Sequence, residues 1–332
     1  MSVAHLWRYA VKGLDRDELL NAPLTPGSGF PSDRQWALHY EDGARFQPVT
    51  PVWLHKSNFK CAFNAADELG KFETSFDDET SVLTVRSRSG TPCPTNSWDL
   101  TKEADRARAA AFFSEVHGRP LRLVQADGAH HFGNTPAGFK HHPSGSIIHI
   151  VNTSTVEALG ETALGSKQAL HPSRFRPNMV LTGVPAWSEF DWVGRRVRIG
   201  GATLEVVKRT VRCEATNVDC VHGSGRADLD VPGLLAKHFP QHGPYLGVYA
   251  IVAKGGTVHV GDPVTPMVTP EDEEGCAAAS TEKGVSAAVA AVKAGRLSTR
   301  TAALLVTLLV VAAVALVAAI VEIVRIYQVL PR

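Results

Sequence analysis

The chain has almost no net charge, +1 over 332 residues, with 34 Lys and Arg against 33 Asp and Glu, and no basic stripe runs along it. Nucleic-acid binding draws its affinity from clustered cations on phosphates, so that class of partner is excluded. Cysteine is scarce. Cys61, Cys93, Cys213, Cys220 and Cys276 follow no regular spacing, which rules out a disulfide framework, and their odd number leaves at least one thiol unpaired. A reducing compartment follows from that usage. No C-x4-C-x2-C run offers an iron–sulfur site, and no G-x-G-x-x-G opens a dinucleotide fold. Any redox chemistry on this chain therefore needs electrons from a separate donor. The opening Met1-Ser2-Val3-Ala4-His5 lacks a basic segment followed by an apolar run, so no secretory signal is expected there.

Long apolar runs are absent except for one. From Thr301 to Val321 no residue is charged, and Ala, Leu and Val dominate. At 1.5 Å per residue such a helix reaches the ~30 Å hydrocarbon core of a bilayer. It is apolar on every face, unlike a surface helix of a globular domain. A transmembrane helix over 301–323 is expected. Lys293, Arg296 and Arg300 precede it, so the positive-inside bias makes this a single-pass, C-terminally anchored protein with its large domain facing the cytoplasm.

The full chain is 44% hydrophobic and long enough to bury a substantial core. Alternating, β-branched stretches predict strands at Ser81–Val85, Leu121–Val124, Val197–Ile199 and Leu204–Val207, with turns at Pro26–Gly29, Gly200-Gly201 and Gly255-Gly256. Helices are predicted over Thr101–His117, ended by Gly118, over Val156–Leu164 and over Val231–Phe239. Many short strands and few helices imply a mainly β (α+β) protein of closed or half-closed barrels. The polar, acidic stretch after residue 265, with Glu271-Asp272-Glu273-Glu274, reads as a solvated linker.

Two motifs carry chemistry. Cys213 directly follows Arg212 at the end of an apolar strand, where a neighbouring cation favours the thiolate that binds metals. The competing reading of a lone cysteine is a small buried hydrophobe. Some 35 residues earlier stands Arg174-Phe175-Arg176-Pro177-Asn178. These runs appear in order with Trp187-Ser188-Glu189-Phe190-Asp191-Trp192, Arg198-Ile199-Gly200, Leu246-Gly247-Val248-Tyr249-Ala250 and Val260-Gly261-Asp262-Pro263-Val264. Together they resemble the MOSC domain, the C-terminal module of molybdenum cofactor sulfurases shared with amidoxime-reducing enzymes. Tyr9-Ala10-Val11-Lys12-Gly13, Ser32-Asp33-Arg34-Gln35-Trp36 and Arg45-Phe46 are similar to the β-barrel domain that precedes it in such proteins.

The resemblance implies an N-terminal β-barrel domain with its linking helix over 1–118, a MOSC barrel over 119–265, a linker over 266–300 and then the anchor. It implies a molybdenum–molybdopterin cofactor (Moco) with Cys213 as the protein ligand to the metal, a place suited to a soft thiolate. The chemistry it implies is removal of oxygen from small N-hydroxylated or N-oxide substrates, with electrons from a haem or flavin donor protein. A cofactor carrier or sulfur-transfer protein without turnover is the alternative. Arg176 and Asn178 match cofactor-contacting positions, and arginine's planar fork suits a phosphate. Lys12 and Arg34 match as well, although Gly13 stands where many relatives carry serine, and an ion pair with Asp33 is a rival role for Arg34. Arg212 and Thr216 flank Cys213. Asn152, Thr153 and Thr155 open a helix and serve equally as cap or as phosphate contacts. Asp219, on the Cys213 loop, is a candidate for acid–base work, with an Asx turn as its rival. Cys220 is either incidental or a disulfide partner of Cys213. His130, His131, His141 and His142 lack the spacing of a zinc site and read as a loop.

Overall fold

In the long strands, burial alternates as a half-buried pleat requires. Along β13 (Ala202–Val211) the residues Ala202, Leu204, Val206 and Thr210 are buried while their neighbours are not. This strand is antiparallel to β14 (Tyr245–Lys254) over nearly its whole length. The computed structural model describes residues 1–46, 54–61, 64, 65, 68, 71–88, 95–125, 132, 146–165, 170–219 and 227–267. It separates the chain into Met1–Pro266 and Met267–Arg332. The expected linker from 268 onward and the expected membrane helix over 301–323 lie outside the described residues. Among the described residues no helix is long and apolar enough to cross a membrane.

The protein is mainly β. Its largest sheet runs β16 (Val264–Pro266), β12 (Arg196–Ile199), β13, β14, β10 (Ile148–Asn152), β11 (Met179–Thr182), β1 (Ser2–Arg8), β3 (Asp17–Leu19). All of its neighbours are antiparallel except β10 and β11. The sheet curls into a half-barrel until its margins meet. Ser2 bridges Pro263, and Val264 N donates to Met1 O at 3.1 Å. Leu6, Ile150, Met179, Leu204, Val206, Val248 and Ala250 fill the interior, joined by Leu24 from a two-stranded ladder of β4 (Asn21–Leu24) with β15 (Gly256–His259).

A second layer contains β2 (Val11–Lys12), β5 (Trp36–Tyr40) and β9 (Leu121–Gln125) in one sheet, and β6 (Phe72–Asp77), β7 (Val82–Ser87) and β8 (Asn96–Asp99) in another. Helix α1 (Glu103–His117) buries Ala109, Ala110 and Phe113 against them and ends, as its sequence predicts, on Gly118 at φ 70°. Among the described residues these elements form two three-stranded sheets, while β1 and β3 extend the eight-stranded sheet and β4 pairs with β15. Conversely β9, just beyond residue 118, pairs with β5. Helices α2 (Thr153–Leu164) and α3 (Val231–His238) share a separate cluster of Val156, Leu159, Phe175, Val231 and Leu235.

Candidate cofactor site

Strand β13 ends at Val211, and the chain turns there. Cys213 is exposed, is not in a disulfide, and caps a short 3-10 turn over Glu214–Asn217. Arg212 points the other way, into the protein. Its guanidinium is buried and donates to Leu246 O through Nε at 2.8 Å, and to His149 Nε2 through Nη2 at 2.6 Å. Burial pulls its pKa down to about 10, against the opposing influence of Tyr249 and Cys213. Because Nε2 of His149 accepts from a guanidinium, its Nδ1 carries the proton and donates to Arg176 O at 3.3 Å. Burial, and then the charge of Arg212, hold this imidazole neutral, with its pKa well below the ordinary value. The Tyr249 ring packs 5.2 Å from that of His149. Gly247 permits the approach: at φ 74°, an added Cβ would lie 2.5 Å from Ile150 O and 3.2 Å from His149 Nε2.

The N-terminal elements bring further cations to the same place. Arg176 ends the 3-10 turn Pro172–Phe175 in a left-handed conformation, φ 53°, and its Nη2 donates to Leu14 O at 2.7 Å. Arg34 is also left-handed, at φ 51°, and its Nη2 donates to Arg176 O at 3.1 Å. The Asp33–Arg34 ion pair foreseen as a rival role is present. Burial opposes the charge of Arg34, but Asp33 and Tyr9 outweigh it and hold the guanidinium above its usual pKa. Both guanidiniums lie over the ring of Tyr9, 4.7 Å from its centroid for Arg34 and 4.1 Å for Arg176. Lys12 Nζ donates to Phe132 O at 2.6 Å. Burial brings Lys12 down to about 8, and repulsion from Arg34 and Arg176 acts in the same direction. Arg34 and Arg176 thus meet over Tyr9, Lys12 lies near enough to feel the charge of both, and the buried Arg212 joins them through His149. A cluster of partly buried cations favours an anion. The donor set fits a ligand that carries a phosphate, and an accessible thiol beside it fits a soft metal. Gly13, in place of the relatives' serine, is dictated locally. It has φ 91°, and a Cβ there would sit 2.7 Å from Cys61 Cα.

The other sequence candidates have the following partners. Asn178 is buried and staples strands together: its Oδ1 accepts from His149 N at 3.1 Å, and its Nδ2 donates to Trp7 O at 3.3 Å. It positions the site's histidine. Asn152 caps α2 by accepting from Ser154 N at 3.1 Å, and with Thr155 it surrounds the fully buried Glu189. Burial raises the Glu189 pKa, and hydrogen bonds from Asn152 and Thr155 oppose that rise. Thr153 is the first residue of the same helix. None of the contacts described for these three residues reaches the arginine cluster. Thr216 folds back, its Oγ1 donating to Cys213 O at 2.8 Å. Asp219 lies 3.7 Å from Arg174, which is itself held bidentately by Asp228 at 2.6 and 2.7 Å. Cys220 and the histidines at 130, 131, 141 and 142 lie outside the described residues. Sequence reasoning passed over His149, Tyr249 and Tyr9 as functional positions. A histidine inside an otherwise apolar strand was the available signal for the first, and the quoted tyrosine motifs for the others.

This clustering brings together residues distant in the chain. Residues 127–265 match the MOSC domain. The MOSC segment contributes His149, Arg176, Arg212, Cys213 and Tyr249, while Tyr9, Lys12 and Arg34 come from outside it. Over 243 residues the chain is 25% identical to a molybdenum cofactor sulfurase of Oryza sativa subsp. japonica, a match covering 63% of this chain and 27% of the rice protein. It is 31% identical over 137 residues to mitochondrial amidoxime reducing component 2 of Rattus norvegicus, covering 38% of each. It is 24% identical over 306 residues to the Bos taurus protein of the same name, covering 80% of this chain and 83% of the bovine one. The chain therefore spans about a quarter of the rice relative's length and most of the bovine relative's. The chain is thus similar over residues 127–265 to the MOSC domain, and over longer stretches to proteins named molybdenum cofactor sulfurase and amidoxime reducing component.

Proposed function

We propose that this protein binds Moco and acts as an oxidoreductase on small N-hydroxylated or N-oxide compounds, with electrons delivered by a separate haem or flavin protein. The observation that carries the reading is the accessible thiol of Cys213, next in the chain to Arg212, which His149 links to the cation cluster of Arg176, Arg34 and Lys12. Support comes from the bovine relative, named for amidoxime reduction and aligned over 80% of this chain. When bound, the cofactor supplies the two-electron chemistry, and the protein supplies position and electrostatics. Cys213 is the thiolate ligand. Arg34 and Arg176 hold the phosphate end, Arg212 fixes the neutral His149 tautomer, and His149 in turn holds the backbone of Arg176. Asp219 is the carboxylate proposed for proton transfer. An unchanged pH profile of turnover in Asp219→Asn removes it from that role.

The experiment that tests the reading is metal and pterin analysis of the purified protein, followed by turnover of an amidoxime with a reduced donor. Absence of both molybdenum and pterin overturns it. A second reading, that of a cofactor carrier or sulfur-transfer protein, draws on the accessibility of Cys213 and on the rice relative's name. Full cofactor content without amidoxime or N-oxide turnover favours that reading. The apolar run from Thr301 to Val321 is proposed as the C-terminal membrane anchor. Recovery of the full chain in the soluble fraction is the result that rejects it.

A further inference from the structure

Tyr9 is the residue of this site whose every group but one is accounted for. Its backbone N donates to Asp33 Oδ1 at 2.8 Å, and its backbone O accepts from Arg34 N at 2.7 Å. Its ring is 1% exposed and lies under both guanidiniums. The hydroxyl, however, is buried, and among the described residues it has no hydrogen-bond partner. Leaving a buried donor unpaired is costly, and native proteins keep few such groups unless a ligand or a function accounts for them. The neighbours suggest which ligand. Two cations, Arg34 and Arg176, lie 4.7 and 4.1 Å from the centroid of the ring that carries this hydroxyl, and the partner such a neighbourhood attracts is an oxyanion.

The geometry points to Tyr9 as an anion-positioning residue, its hydroxyl donating a third hydrogen bond to a phosphate oxyanion held by Arg34 and Arg176. The inference rests on the reading that a phosphate-bearing ligand fills this site. It adds a neutral donor, contributed from outside the MOSC segment, to the charged ones. Burial holds the phenol well above its ordinary pKa, despite the opposing arginines, so it stays a donor throughout the physiological range.

Tyr9→Phe keeps the ring, its burial and its stacking under the guanidiniums, and removes only the hydroxyl. In the full chain produced without cofactor, the variant should melt at the same temperature as the wild type or higher, because an unpaired buried group has been deleted. Inorganic phosphate should raise the wild-type midpoint, and the variant should need about tenfold more phosphate for the same rise, equivalent to about 1.4 kcal/mol. In protein produced with cofactor, pterin retained after dialysis should fall in parallel. A fall of several degrees in the ligand-free midpoint of Tyr9→Phe shows that the hydroxyl has a partner within the fold and overturns the inference. So does equal phosphate sensitivity of the two proteins. Wild-type protein that responds to phosphate but never carries pterin upholds Tyr9 as an oxyanion donor while overturning the Moco reading. Wild-type protein that binds neither overturns both.

Discussion

At the scale of single residues, the site separates groups that touch a ligand from groups that hold them. Cys213→Ser exchanges a soft thiolate for a hydroxyl at an exposed position, so the fold should survive, with turnover lost and the metal's spectroscopic signature changed. Cys220→Ser should leave both intact, and an active Cys213→Ser protein would remove Cys213 as the metal ligand. Arg176→Ala should weaken pterin retention by about 10- to 100-fold, from a charge-assisted hydrogen bond worth about 1.5–3 kcal/mol, and Arg176→Lys by less, because lysine keeps the charge but not the fork. Pterin content of the dialysed variants measures this. Lys12 gives a pH dependence with a definite sign. Its folded pKa of about 8 lies below the unfolded value, so between about pH 8 and 10 the unfolded chain binds the extra proton and stability rises with pH. Anion affinity moves in the opposite direction as Lys12 loses its charge. Phosphate titrations at pH 7 and pH 9 should show that decline in the wild type and a flatter response in Lys12→Met.

At the scale of elements, close backbone approach is what assembles the site. Strands β10 and β14 meet at His149 because Gly247 has no side chain, and its φ of 74° disfavours one in any case. Gly247→Ala should cost about 2 kcal/mol or more through strain and displacement of Ile150 O. Thermal unfolding reads the loss, and a variant as stable as the wild type would show that the approach is not required. The helices were legible in the chain with small errors at their ends. Gly118 stops α1 as its sequence indicates, and α2 begins a few residues earlier than its apolar pattern indicates because Asn152 provides the cap. The same capping arrangement commits Asn152 and Thr155 to contacts within their own neighbourhood. Their polar atoms are engaged with the buried Glu189, a carboxylate whose position in space no local pattern reveals.

At the scale of the whole molecule, the segment that matches MOSC shares its core with residues that precede it. Val3, Leu6, Ala22, Leu24 and Phe30, all N-terminal to it, sit in the half-barrel's interior, and β1 covers the edge of β11. Burying each large apolar side chain contributes about 1.5–3 kcal/mol, and the set together rivals the total stability of a domain, about 5–15 kcal/mol. A fragment over 119–265 should therefore be insoluble or unfolded, while 1–267 should fold and retain pterin. Circular dichroism and cooperative melting of the two constructions decide this, and a stably folded 119–265 fragment would refute it.

Local chemistry was enough to read the mainly β character, the three helices, the thiol after an arginine and the arginine-rich motif before it, because periodicity, caps and motif order are properties of neighbouring residues. Which polar residues serve the site was not readable in that way. Arg34 and Arg176 reach Tyr9 from points in the chain more than a hundred residues apart, Arg212 joins them through His149, and Asn178 spends its amide on two strands. A side chain's partners depend on what the tertiary fold sets against it, and only the packing of the N-terminal strands onto the MOSC segment decided that.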